Sequence, residues 1–136
     1  MCMKYKSSKE LTKPKRCWVL RDTNNAAGYI YSPFQAATWK LGIEQSIPRN
    51  RLCKKIKDME ENCEVTNQVF HAFRTKKQAR EAQRLMPERS LFKAEGSGTE
   101  VKGILYGFDH NMDGQPCAGY TTLKLTELIR EKRKGQ

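Results

Sequence analysis

The sequence predicts an α+β fold, in which about four helices pack against a mostly antiparallel sheet in a single domain. Three observations lead to this expectation. Segments rich in β-branched and aromatic residues come in pairs separated by turn residues, as in hairpins. Other segments repeat apolar residues at helical spacing and begin with residues that cap helices. The length of 136 residues and the 38% of hydrophobic residues suit one globular domain.

Strands are predicted where β-forming residues lie between turn residues. Residues 16–21 and 28–31 flank the turn residues Thr23, Asn24 and Asn25, which indicates a first hairpin. The other predicted strands are residues 64–73, 90–94, 100–108 and 117–122. Two polar segments are expected to connect the last three strands, a turn at residues 95–98 and a loop at residues 110–115.

The first two helices are predicted from their caps and apolar spacing. Ser32 and Pro33 suit the cap and the first position of a helix that stops at Gly42. Residues 48–61 repeat apolar side chains at helical spacing and form the second helix.

The third helix is predicted at residues 76–86, after the capping box Thr75 to Gln78. A C-terminal helix is predicted with Leu125, Leu128 and Ile129 as its core face.

The N-terminal residues 1–14 have no hydrophobic period. They are expected to form a basic flexible arm, with residues 15–136 as the single α+β domain.

The net charge of +11 is the most informative global property of the chain. The excess is concentrated in residues 1–22, 74–89 and 122–136, with net charges of +5, +4 and +3. Positive charge of this size favours binding to polyanions, among which nucleic acid is the commonest and an acidic protein surface is the main competitor. Binding to DNA or RNA is therefore the first expectation, and an acidic protein partner is the second.

The third predicted helix carries the most specific signal for such binding. Lys77, Arg80 and Arg84 lie on one side of it, and Arg74 and Lys76 lie at its start. A row of cations can lie along a phosphate backbone, although an ordinary solvated helix face has the same composition. The predicted phosphate-binding residues of the whole chain are Arg74, Lys76, Lys77, Arg80, Arg84, Arg49, Arg51, Lys132, Arg133 and Lys134.

Aromatic residues of the first hairpin form a second candidate site. Trp18, Tyr29 and Tyr31 are flanked by cations, Lys15 and Arg16 among them, and can stack on the bases of a single strand. The alternative is that these rings form the core between sheet and helix.

A metal site is not expected. Residues 109–114 match the first half of a calcium loop, D-x-N-x-D-G, but Tyr120 stands where the last carboxylate ligand is required. A hairpin turn explains the same residues. The five cysteines lack zinc-ligand spacing and are expected to be reduced.

A catalytic function has one weak signal. Glu100 and Lys102 form an E-x-K triplet, with Glu88 upstream, as in magnesium-dependent nucleases. No phosphate-binding loop, dinucleotide-binding motif or nucleophile elbow is present, so a non-catalytic protein without a cofactor is favoured.

The leading hypothesis is a non-catalytic protein that binds the phosphate backbone of nucleic acid through the basic helix face and the basic termini. A small basic regulator or inhibitor of an acidic or nucleic-acid-handling protein is the alternative, and a magnesium-dependent nuclease is the second alternative. No secretory signal or membrane-spanning segment is visible, so a cytoplasmic location without membrane contact is expected. The sequence carries no signal for an oligomeric state.

Overall fold

The computed structural model describes residues 2–23, 30–31, 38–47, 56, 59–65 and 69–130. Within these residues the chain forms nine strands and one α-helix. The strands are β1 (Cys2–Glu10), β2 (Lys15–Arg21), β3 (Ile30–Tyr31), β4 (Thr38–Trp39), β5 (Glu44–Ser46), β6 (Glu64–Val65), β7 (Phe70–Ala72), β8 (Ser90–Tyr106) and β9 (Pro116–Ile129). The helix, α1, spans Lys76–Leu85. Nowhere in this part of the chain is there a helix with the length and apolar character that crossing a membrane requires.

A long hairpin of β8 and β9 forms the centre of the fold. The antiparallel pairing of the two strands runs from Leu91 opposite Ile129 to Ile104 opposite Pro116, and residues 107–115 connect them. With 17 and 14 residues, both strands are much longer than the usual five or six. Each can therefore pair with different strands along its two halves.

The outer edge of β8 is shared by β2 and β1. β2 pairs with the first half, where Lys15 lies opposite Gly96, and β1 pairs with the second half. The segment expected to be a flexible arm therefore contributes a strand to the sheet. Met3 and Tyr5 are buried and Lys4 between them is exposed, as a strand with one buried face requires. Two apolar residues among lysines and serines are too few to show this period in the sequence.

The outer edge of β9 is shared by β7 and β5, while β6 pairs with β1 and the short β3–β4 pair stands apart. Trp18 of β2 and Phe73 exchange two backbone hydrogen bonds, in which Trp18 N donates to Phe73 O at 3.1 Å and Phe73 N donates to Trp18 O at 2.8 Å. Because Phe73 directly follows β7, the strands β2, β8, β9 and β7 close into a ring.

Two clusters of buried side chains lie on the two faces of this sheet. The first cluster contains Cys17, Val19, Ile30, Trp39, Phe70, Ala72, Phe92, Ala94, Ala118, Tyr120, Leu123 and Leu125. The second cluster lies on the face that α1 covers, and it includes Ala79 and Ala82 of that helix. Along β2, Val19 belongs to the first cluster and Leu20 to the second, as alternation of side chains across a strand requires.

The predicted third helix is confirmed as α1. The Thr75 side chain caps it by accepting a hydrogen bond from the Gln78 backbone N–H at 3.1 Å. The return bond of the capping box differs, since the Gln78 side-chain oxygen accepts from the Arg74 N–H at 3.3 Å. α1 lies across β2 and β8 with its small apolar face inward.

The prediction of about four helices is wrong, because the described residues are mostly antiparallel sheet and contain one long helix. The C-terminal helix in particular is absent, since Leu125 and Leu128 belong to β9. Leu123 and Leu125 also fit a strand period, and both are fully buried. Pairing of β9 with β8 satisfies the backbone hydrogen bonds of this segment and buries the two leucines. The segment therefore follows the strand period instead of the helical one.

The predicted turn at residues 95–98 is also wrong, because these residues lie within β8. The strand register shifts between Ser97 and Glu100, and Gly98 adopts a φ of 76°. A glycine at this bulge lets the strand bend without ending, so the glycines mark an irregularity in one strand.

The two other predicted helices fall largely outside the described residues. Of the first, residues 32–37 lie outside, while Thr38–Trp39 is a strand. Of the second, only residues 56 and 59–61 are described, and none of them is α-helical.

Candidate nucleic-acid interface

The outer face of α1 carries the predicted basic row. Lys77 and Arg84 are exposed and Arg80 is partly exposed, while Gln78 and the two alanines on the opposite side are buried. Arg74 and Lys76, at the start of the helix, are exposed as well. The helix therefore presents its cations to solvent, where a ligand can reach them.

A cavity of about 440 Å³ opens beside the start of this helix. Its lining residues come from β2, from α1 with the two residues before it, and from the start of β9 with the residue before it. They are Lys15, Arg16, Arg74, Thr75, Lys77, Gln78, Glu81, Gln115, Pro116 and Tyr120. We call the four cations among them, Lys15, Arg16, Arg74 and Lys77, the basic cleft.

Backbone pairing brings the two halves of the basic cleft together. The Trp18–Phe73 pair fixes β2 against the residue that precedes Arg74. The Gln78 side-chain amide then donates to the Pro116 carbonyl at 2.8 Å and to the Gln115 side chain at 3.2 Å, which ties α1 to the start of β9. The cations are thus held by rigid elements on both sides of the cavity.

The basic cleft is only partly neutralised. Lys15 pairs with Glu100, whereas Arg16, Arg74 and Lys77 form no ion pair within the described part of the chain. Among the described lining residues, Glu81 is the one carboxylate, four residues after Lys77 on the helix. Positive charge therefore remains in excess around the cavity, and cations gathered in this way attract anions.

Glu100 lies next to the cavity and is the centre of a separate charge cluster. Its carboxylate is only 1% exposed and lies 3.0 Å from the Lys15 ammonium and 3.9 Å from that of Lys9. The Tyr120 hydroxyl donates to it at 2.9 Å. Strand pairing places these groups, since Glu100 lies opposite Lys9 in β1 and opposite Tyr120 in β9.

The ionisation of this cluster follows from its contacts. Burial raises the pKa of the Glu100 carboxyl, but hydrogen bonds from Lys15 and Tyr120 and the nearby ammonium charges lower this pKa by more, so it lies below its ordinary value. Burial raises the pKa of the Tyr120 hydroxyl, and Cys17 and the Glu100 carboxylate raise it further. At neutral pH, Glu100 is therefore ionised and Tyr120 is protonated.

These contacts leave the E-x-K triplet without support as a metal site. Both Glu100 oxygens are engaged by lysine and tyrosine groups, and Glu88 is mostly exposed on the segment after α1. Across the residues that the structure describes, no three His, Cys, Asp or Glu side chains are arranged to hold a metal ion. Cys17 and Cys117 are buried, and burial raises the pKa of each thiol to about 12, so neither is a ready nucleophile.

The calcium-like segment forms the loop of the β8–β9 hairpin. The Asp113 carboxylate accepts hydrogen bonds from the backbone N–H groups of Gly107, Phe108 and Asp109. Asp109 in turn accepts from the Asn111 N–H at 3.0 Å. The three hydrogen bonds to the Asp113 carboxylate hold its pKa below the ordinary value, and the bond from Phe108 contributes most. The acidic residues therefore stabilise a turn.

Of the proposed stacking residues, the structure describes the side chain of Trp18 alone, so the stacking site stays a prediction. Trp18 is partly buried and packs against the second cluster, on the face that α1 covers. Tyr29 and the side chain of Tyr31 lie outside the described residues. Arg21, which lies three residues after Trp18 in β2, is 3% exposed, with its guanidinium 4.5 Å from the centre of the Trp39 ring.

Five of the predicted phosphate-binding residues also fall outside the described part of the chain, namely Arg49, Arg51, Lys132, Arg133 and Lys134. The structure brings Arg74 and Lys77 together with Lys15 and Arg16, which the sequence associates only with the aromatic residues. The net charge of +5 in residues 1–22 is a signal for them. Their position beside α1 depends on the Trp18–Phe73 pairing, which no local pattern reveals.

The comparisons with known proteins give no family for this chain. No protein-family model, no curated protein and no solved structure matches it. The functional argument therefore depends on the geometry and charge of the basic cleft and the α1 face.

Proposed function

We propose that this protein binds nucleic acid without catalysis, through contacts between its basic surface and the phosphate backbone. The observation that carries the proposal is the convergence of Lys15 and Arg16 with Arg74 and Lys77 around one cavity. Three of these cations have no ion pair among the described residues. Further exposed cations lie along α1, next to the cavity.

The expected binding is mostly electrostatic. Lysine and arginine bind phosphates by displacing condensed counterions, which gives an affinity that falls steeply with salt. The described surface offers no arrangement for reading base edges, so contacts of this kind position a nucleic acid and carry little sequence preference. We include a cytoplasmic location in the proposal.

A salt titration of binding to single- and double-stranded DNA and RNA tests the proposal. The variant Arg16→Glu/Lys77→Glu removes two of the unpaired cations of the basic cleft. The matched control is Lys4→Glu/Arg130→Glu, which makes the same change of charge at two exposed cations that do not line the cavity. Circular dichroism melts confirm that both variants fold.

The basic-cleft variant is expected to bind at least about tenfold more weakly than wild type. Its salt slope on duplex DNA should fall by roughly 1.8, because each phosphate that is no longer neutralised lowers the slope by about 0.9. The control variant keeps a slope within about 0.9 of that of wild type. Equal losses of affinity in the two variants would show that net charge alone governs binding and would remove the basic cleft from the proposal.

A protein-binding regulator remains a second candidate, favoured by one surface feature. Leu41 and Ile43 are 50% and 53% exposed, and they lie just before β5, a strand that the described residues pair on one side only. A partner can add a strand at such an open edge, and it can make hydrophobic contacts with the exposed apolar residues beside that edge. Capture of the same partner before and after nuclease treatment would favour this candidate over nucleic-acid binding.

A further inference from the structure

The basic cleft ends abruptly on one side, at Arg16. Arg16 also lines a second cavity of about 350 Å³, together with Pro14, Lys93, Glu95, Thr126 and Glu127. The second cavity thus contains two cations and two carboxylates. The excess of positive charge in the first cavity does not continue beyond Arg16 in this direction.

On the other side, positive charge continues along α1. Lys77 lines the cavity, and Arg80 and Arg84 follow it on the same side of the helix. At a rise of about 1.5 Å per residue, the row from Lys77 to Arg84 extends about 10 Å away from the cavity. A phosphate backbone can follow this row. A backbone continued past Arg16 would instead meet the Glu127 carboxylate and Glu95, which Lys124 pairs at 3.5 Å, so no excess of positive charge lines that cavity.

We propose that the basic cleft binds the terminal phosphate of a nucleic-acid strand, and that the preceding phosphates of that strand lie along the α1 face. This inference rests on the proposed nucleic-acid binding and adds the part of the ligand that the cavity recognises. A strand that ends in the cavity contacts both the basic cleft and the helical row, and it does not extend into the second cavity, whose lining charges balance.

The chemistry of a terminal phosphate fits the residues present. A phosphomonoester carries a charge of about −1.5 to −2 at neutral pH, whereas an internal phosphodiester carries about −1. Arg16, Arg74 and Lys77 offer three cations without ion pairs among the described residues, which suits the more highly charged group. The volume lies within the range of roughly 300–1,000 Å³ that small-molecule sites occupy, so a terminal nucleotide fits the cavity.

The uncompensated start of α1 points to the same ligand. Arg74, Lys76 and Lys77 gather at the end of the helix where its dipole is positive, and no acidic residue lies in the first turn. Cations at this end are repelled by the positive end of the helix dipole, and an anion bound in the cavity would reduce that repulsion.

The test compares short single-stranded DNAs of one sequence with a fluorophore on an internal base. One carries a 5′-phosphate, one a 3′-phosphate and one hydroxyl groups at both ends. Binding is followed by fluorescence anisotropy at fixed salt, with AMP and inorganic phosphate as competitors. At least one phosphorylated DNA is expected to bind about tenfold more tightly than the hydroxyl form, as one strong charge-assisted contact would provide.

Two variants separate the cavity from the helical row. Arg16→Gln/Lys77→Gln should remove the preference for a phosphorylated end, whereas Arg80→Gln/Arg84→Gln should weaken all three DNAs and keep the preference. Lys4→Gln/Arg130→Gln should bind all three DNAs like wild type.

Three results would overturn the inference. Equal binding of the phosphorylated and hydroxyl forms would exclude end recognition and leave the proposed function intact. AMP that binds as tightly as the phosphorylated DNA would assign the cavity to a free nucleotide. A failure to bind any of the DNAs, or the matching RNAs, would refute both the inference and the proposed function.

Discussion

The Glu100 cluster and the basic cleft are neighbouring regions that share Lys15, but the carboxylate of the first is buried and paired, whereas the charges of the second are mostly exposed and unpaired within the described residues. The buried Glu100 carboxylate is matched by Lys9, Lys15 and the Tyr120 hydroxyl. In the cleft, Arg16 and Lys77 are exposed and have no ion pair within the described residues. A buried charge is costly unless it is paired, whereas an exposed charge remains solvated at little cost. The first region thus serves stability, and the second leaves its charge available to a ligand.

Removal of the buried carboxylate should have the largest effect on stability. Glu100→Gln is expected to lower the free energy of unfolding by about 2–3 kcal/mol, less than a fully buried pair because both lysines are partly exposed. Urea unfolding measures this change. The control is Glu95→Gln, which removes a 43% exposed carboxylate 3.5 Å from Lys124 and should cost less than about 1 kcal/mol. Equal losses in the two variants would contradict the distinction between the two kinds of charge.

A side chain at position 96 should disturb the same cluster through packing. A Cβ added at Gly96 would lie 2.2 Å from Cγ of Tyr120, so the ring, whose hydroxyl donates to Glu100, must shift. Gly96→Ala is therefore expected to cost about 2 kcal/mol, as overpacking of a core does. In a Tyr120→Ala background the same substitution should cost far less. An equal cost in both backgrounds would show that the Tyr120 ring is not the obstacle.

Lys15 and Arg16 are adjacent in sequence and allow a direct comparison of the two regions. Lys15→Gln removes a partner of Glu100 and should cost about 1 kcal/mol. Arg16→Gln removes an unpaired surface cation and should change stability by less than about 0.5 kcal/mol. Both substitutions should weaken DNA binding in anisotropy titrations. The division of roles would be refuted if Arg16→Gln were the more destabilising of the two.

The smallest effect is expected in the pH dependence of stability. The pKa of Glu100 in the folded chain lies below its ordinary value of 4.5. Its stabilising contribution is therefore present above the unfolded pKa and is lost as pH falls through the folded pKa. Below pH 4.5, the stability of wild type should fall more steeply than that of Glu100→Gln. Asp113, which also has a lowered pKa, titrates in both proteins, so its effect on stability cancels in the comparison. Parallel curves of stability against pH for the two proteins would count against the assignment to Glu100.

The strands show how far local patterns predict this fold. Short runs such as residues 16–21 are recognisable from their β-forming residues, and β2 occupies that position. The C-terminal leucines fit two periods at once, and the described residues that were predicted as the helix core form a strand. Strand pairing decides this case, because β9 gains backbone partners along most of its length by continuing beside β8.

The candidate site is predictable in the same partial way. The basic row of α1 follows from helical spacing, which also places Arg74 and Lys77 at one end of it. Lys15 and Arg16 are predicted only as neighbours of an aromatic hairpin, since the sequence offers no reason to place β2 beside α1. The buried role of Glu100 is not predictable either, because its partners Lys9 and Tyr120 come from two other strands.

Local chemistry alone determined α1, its Thr75 cap and the side of the helix on which its cations lie. Caps and helical periods depend on residues within about four positions of one another, so the amino-acid sequence already contains them. Only the tertiary structure decided that residues 2–10 join the sheet and that the basic cleft exists. Both depend on backbone hydrogen bonds between distant segments, in which nearly every residue type can take part, so side-chain patterns carry little trace of them.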